Sequence, residues 1–101
     1  MKEKTFDQIA AEELKLYADN TYRVYNNYYL PICENMRRKV NKGKFDQEKA
    51  IKAFMYCADF AAKLYHAEFG SKLVPWYQVF NKATRQAVAA AMVADFIENN
   101  M

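Results

Sequence analysis

Five tyrosines, Tyr17, Tyr22, Tyr25, Tyr28 and Tyr29, fall within thirteen residues, and the basic run Arg37, Arg38, Lys39, Lys42 and Lys44 follows them. A tyrosine ring offers a flat face to a nucleobase and a hydroxyl to a polar rim. Lysine and arginine supply partners for phosphate, arginine in a planar fork. Asn20, Asn26 and Asn27 add amides that can meet base edges. Such a set suits a ligand that is part aromatic and part anionic. It also suits plain packing, with the tyrosines filling a bundle and a subunit interface while the charges solvate a helix end. On pattern alone the packing account comes first.

The charge distribution sharpens the first account. The formal net charge of the 101 residues is +3. Residues 1–30 have a balance of −1 and residues 45–101 a balance of 0, so residues 31–44, at +4, hold the whole excess. An anionic partner would be met there. A net charge of +3 is low for a polynucleotide binder.

Other residues with chemistry are sparse. Arg85 follows Thr84 near the start of a predicted helix, where the dipole disfavours a cation. An anionic ligand, a nearby acid or solvent would each offset it. Asp59 and Asp95 flank apolar stripes and read better as salt-bridged or solvated than as an acid/base couple. His66 is the one histidine, so no zinc set of ordinary spacing can be assembled. It reads as a surface residue at a helix end. Cys33 and Cys57 lie in amphipathic stretches and read as buried free thiols. Gly43 and Gly70 are too far apart for a phosphate-cradling loop. No nucleophile–base motif is present, and catalysis is not expected. No cofactor is expected either.

The elements that position these residues are helical. Hydrophobic residues make up 52% and only two glycines and two prolines occur, which favours a packed helical domain over a turn-rich β chain. No apolar run of membrane-spanning length and no signal-peptide core is seen. Thr5 and Gln8 form a capping-box pair. The stripe of Ile9, Leu14, Tyr17, Ala18, Thr21, Tyr22, Tyr25, Tyr28 and Tyr29 runs on to Pro31, where a kink is expected. Lys42-Gly43 stops that helix. Asp46 caps the next, which carries two apolar rows and should sit centrally, and Gly70 at C′ ends it. Residues 71–80 form a connection whose apolar content packs it down. Asn81, or Thr84, caps the last helix. The expectation is one all-α domain, residues 1–101, a small oligomeric bundle of three main helices over 6–41, 47–69 and 82–98, the first long and kinked near Pro31.

Several runs resemble the phage anti-CBASS cyclic-oligonucleotide sponges. They are Asn20-Thr-Tyr-Arg-Val-Tyr25, Pro31-Ile-Cys-Glu-Asn35, Lys42-Gly-Lys-Phe-Asp46, Lys49-Ala50, Ala61-Ala-Lys-Leu-Tyr65, Glu68-Phe-Gly70, Trp76 and Phe80-Asn-Lys-Ala-Thr-Arg85. Their order and spacing carry the likeness, over roughly residues 18–97. Residues 1–13 extend beyond the expected start, and a longer loop is expected at 71–75. The resemblance implies a viral immune-evasion protein in the cytoplasm of the infected bacterium. It would be a homo-oligomer, a hexamer built from dimers, that sequesters 3′,3′-cyclic dinucleotides such as cGAMP without cleaving them, and so starves host effectors. It would need neither membrane nor metal. It further implies a dinucleotide pocket with a stacking tyrosine (Tyr25, Tyr28 or Tyr29) and a phosphate-binding lysine (Lys39, Lys42 or Lys44). A second type of pocket, for cyclic trinucleotides, would use Thr84 and Arg85. The competing expectations are a small basic nucleic-acid-binding module and a phage inhibitor of a host protein acting through its tyrosine face.

Overall fold

A computed structural model describes residues 5–70 and 73–101, and every regular element among them is helical. Ser71 and Lys72 of the expected 71–80 connection, and the first four residues of the N-terminal extension, lie outside the described residues.

Helix α1 (Phe6–Asn20) starts on the capping box. Thr5 Oγ1 accepts from the Gln8 N–H at 3.2 Å, and Gln8 Oε1 accepts from the Thr5 N–H at 2.9 Å. The helix ends where Thr21 turns extended, with φ −104° and ψ 112°. A single turn, α2 (Tyr22–Val24), leads into a π-helical turn (Tyr25–Tyr29) and then α3 (Leu30–Asn41). The element expected over 6–41 is therefore divided at Thr21, before Pro31 is reached. Pro31 lies in the first turn of α3, directly after the π-turn. A proline ring crowds the carbonyl four residues earlier and offers it no N–H. The wider π spacing, in which the Leu30 N–H bonds to the Tyr25 carbonyl, relieves that crowding.

Gly43 closes α3 with φ +67°, a conformation that other residues adopt only at a cost. Its N–H donates to the Val40 carbonyl at 3.0 Å, and the Lys44 N–H donates to the Lys39 carbonyl at 2.8 Å. This pair of bonds is the Schellman arrangement. Asp46 then caps α4 (Gln47–Phe69), its Oδ1 accepting from the Lys49 N–H at 3.1 Å. Gly70 ends α4 for a reason other than the expected one. Its φ of −84° is ordinary, but a Cβ there would lie 2.5 Å from His66 Cδ2. Space, not a left-handed turn, calls for glycine. A short helix, α5 (Trp76–Val79), precedes α6 (Lys82–Asn100), which Asn81 caps by accepting from the Thr84 N–H at 2.9 Å.

Helix α4 is central, packing against α6 and α1 and touching α2, α3, α5 and the π-turn. Phe54, Cys57, Ala58 and Ala61 are fully buried. The small alanines let α6 approach closely, so that Val88, Met92 and Phe96 are buried as well. Phe45 stacks on Phe96 at 5.7 Å, closing the α3–α4 end of the core. Ile9 and Phe69, expected within the stripes, stand exposed at their margins. Lys15 ties α1 to α6 through Asp95 at 2.7 Å, while also meeting Asp19 at 2.6 Å. Burial alone would lower the Lys15 pKa, but the bonds to these two carboxylates outweigh it and the pKa is raised.

Candidate anion-binding cleft and tyrosine platform

The basic run folds into one place. Lys39, Lys42 and Lys44 line a cleft of about 400 Å³ together with Asn35, Arg38 and Lys49. The local structure explains why. Lys39 in the last turn of α3 and Lys42 at its C-cap are three apart and share a face. The Schellman turn at Gly43 reverses the chain and returns Lys44 to the same side. Asp46 then starts α4 so that Lys49, in its first turn, completes the ring of cations. Arg38 pairs with Glu34 at 2.9 Å. Among the described residues Lys39, Lys42, Lys44 and Lys49 have no carboxylate within ion-pair distance. Lys49 and Asn35 were not singled out as site residues from the sequence. Their membership depends on the corner that Lys42-Gly43 and Asp46 make, and that corner was legible.

The tyrosines lie elsewhere. None lines the lysine cleft. Tyr29 and Lys39 are ten residues apart along a helix, roughly 15 Å. Tyr25 and Tyr29 stack on each other with ring centroids 5.1 Å apart, and Tyr29 also leans on Phe54. Tyr28 stacks on Phe60 at 4.2 Å, with the Arg23 guanidinium 5.9 Å from the Phe60 ring. Burial, then the neighbouring Cys33, pushes the Tyr29 hydroxyl well above its ordinary range. Tyr25 is the most open of the three at 37% exposure, so it offers the most free ring surface. Tyr25 and Tyr29 lie at the two ends of the π-turn, four residues apart, and share one side of it.

Thr84 and Arg85 occupy neither place. Thr84 is buried near Asn81 and Asp7. Arg85 donates from Nη1 to Asp59 Oδ1 at 2.7 Å and from Nε to the Phe80 carbonyl at 3.0 Å. Its guanidinium also lies 4.9 Å from the centre of the Trp76 ring, and the Lys63 ammonium lies 5.0 Å from it. Of the ways left open for offsetting a cation at this helix start, the nearby acid is the one present. Asp59 and Asp95 each pair with a cation and not with each other. His66 donates from Nε2 to the Val74 carbonyl, pinning the start of the α4–α6 connection. Cys33 and Cys57 are buried free thiols. Among the described residues no three His, Cys, Asp or Glu side chains group as metal ligands, and no helix is long and apolar enough to cross a membrane. The chain matches no protein-family model, no curated protein and no solved structure.

Proposed function

We propose that this chain binds 3′,3′-cyclic dinucleotides stoichiometrically and sequesters them without cleavage, as the phage anti-CBASS sponges that its sequence resembles do. In the infected bacterium's cytoplasm this would deny the messenger to host effectors. The observation that carries the proposal is the meeting of Lys39, Lys42 and Lys44 in one cleft, with four ammonium groups free of carboxylates among the described residues. The lysines meet phosphate, and a tyrosine of the Tyr25, Tyr28 and Tyr29 platform stacks on the base.

Because tyrosines and lysines of one chain lie apart, the proposed binder is a homo-oligomer. A two-fold dimer offers each set twice, matching a ligand with two bases and two phosphates. A base stacked on an aromatic ring contributes about 1–3 kcal/mol. A hydrogen bond to a charged group contributes about 1.5–3 kcal/mol. Two copies of both sum to about 5–12 kcal/mol before the cost of association, so nanomolar binding, about −12 kcal/mol, requires further contacts from the other lysines of the cleft. Binding of a cyclic trinucleotide at Thr84 and Arg85 would require the ligand to displace Asp59, so the dinucleotide has the better support.

Isothermal titration with several 3′,3′-cyclic dinucleotides tests the proposal. It expects tight binding, and recovery of intact messenger after heating the complex. Blank titrations with all of them would overturn it, and recovery of linear nucleotide would replace sequestration with hydrolysis.

A further inference from the structure

We propose that the lysine cleft at the α3–α4 corner takes a run of linked phosphates, as free tripolyphosphate or as the chain of a nucleoside 5′-triphosphate, without help from the tyrosines. The inference shares with the proposed function the reading of this cleft as an anion site, and differs in the anion.

Charge comes first. Four ammonium groups converge on about 400 Å³ with no carboxylate within ion-pair distance among the described residues. Lys39 and Lys42 close the C-terminal end of α3, where a helix dipole favours cations, and would be placed there in any case. Lys49 has no such reason: it lies in the first turn of α4, where the dipole disfavours it. Lys44 belongs to the link between the two helices. Their like charges repel across the cleft, and a multiply charged anion would relieve all four together. A linear triphosphate carries about four negative charges at neutral pH on phosphates joined by single oxygens. A cyclic dinucleotide carries one charge on each phosphodiester, with a ribose between them.

The lining agrees with the charge. It holds no aromatic ring, so nothing in it grips a base. Asn35 is its one uncharged side chain and suits a bridging or terminal phosphate oxygen. The backbone beneath is held by the Schellman bonds at Gly43 and by the Asp46 cap, so the lysine stems start from fixed points.

The test is isothermal titration of the full chain in magnesium-free, low-salt buffer with tripolyphosphate, GTP, orthophosphate and 3′,3′-cGAMP. The variants are Lys44→Gln/Lys49→Gln, and Lys52→Gln as an exposed lysine outside the cleft. Tripolyphosphate should bind once per chain and roughly a hundredfold tighter than orthophosphate, with GTP within a fewfold of it. The double variant should weaken it by roughly thirtyfold, and Lys52→Gln by less than about twofold. Tripolyphosphate no tighter than orthophosphate, or equal losses in both variants, would overturn the inference. So would GTP binding that survives the double variant. Binding of cGAMP with none of tripolyphosphate overturns the inference and leaves the sponge, and the converse leaves the inference and removes the sponge.

Discussion

Arg85 Nη1 and Asp59 Oδ1 lie 2.7 Å apart, joining the first turn of α6 to the middle of α4. The arginine side chain is only 14% exposed, and its Nε is taken up by the Phe80 carbonyl. The pair anchors the α4–α6 connection, with Trp76 lying against the same guanidinium.

Breaking this pair should therefore cost stability. Asp59→Ala leaves a largely buried guanidinium without its carboxylate, and should lower the unfolding free energy in urea by about 2–4 kcal/mol. Arg85→Lys keeps the charge but loses the fork and the flat contact with Trp76, and should recover less than half of the Arg85→Ala loss. Full recovery by lysine would show that the geometry described for Arg85 contributes nothing.

The tyrosines should divide by burial. Tyr29→Ala removes a ring packed on the buried Phe54 and should cost about 3–5 kcal/mol, while Tyr28→Ala removes one stacked on the half-buried Phe60 and should cost about 1.5–3 kcal/mol. Tyr25→Ala should cost about 1 kcal/mol, the worth of one aromatic pair, while weakening cyclic dinucleotide binding by tenfold or more. Urea titration and calorimetry on the same three variants separate scaffold from platform.

Gly43→Ala and Gly70→Ala should fail differently. At Gly43 there is open space but φ is +67°, so alanine costs about 1 kcal/mol and asparagine less. At Gly70 the new methyl meets both the His66 ring and its carbonyl oxygen, so Gly70→Asn should be no better than alanine. Denaturant midpoints of the four variants read this directly.

Alkali should destabilise the fold before it ionises the folded thiols. Burial pushes the Cys57 thiol from an ordinary value near 9 up to about 12, and pushes Cys33 and Tyr29 upward as well. The unfolded chain then releases these protons at lower pH than the folded one. The stabilisation is whole below about pH 9 and declines as pH rises toward about 12. Urea midpoints should be level from pH 7 to 8.5 and fall steadily above pH 9, within the range set by the unfolded thiol and tyrosine values. Cys57→Ser should flatten part of that fall.

Caps and stripes were readable because they are local. Thr5 with Gln8, Asp46 and Asn81 each bond within a turn of themselves, and the chain around them obeys. The interruption at Thr21 was not readable. Thr21 and its neighbours keep the helical spacing, and nothing in that spacing marks the extended residue there or the π-turn that follows and packs on α4. The lysines of the cleft were legible as a run, but Lys49 joins them across a corner. Arg85 was legible as a cation in an unfavourable place. Its answer, Asp59, lies twenty-six residues earlier on another helix, beyond the reach of spacing arguments.

The π-turn also sets a phase. Five residues are spent where an α-helix would need fewer, so every side chain after Tyr29 is rotated by roughly 100° from the bearing it would otherwise hold. Cys33 and Met36 point into the core only in this setting, and Lys39 and Lys42 reach the cleft through the same offset. Deleting Asn27 would remove a single exposed residue and no packed side chain. It would nonetheless turn the whole of α3 like a key, setting core and cleft out of register together.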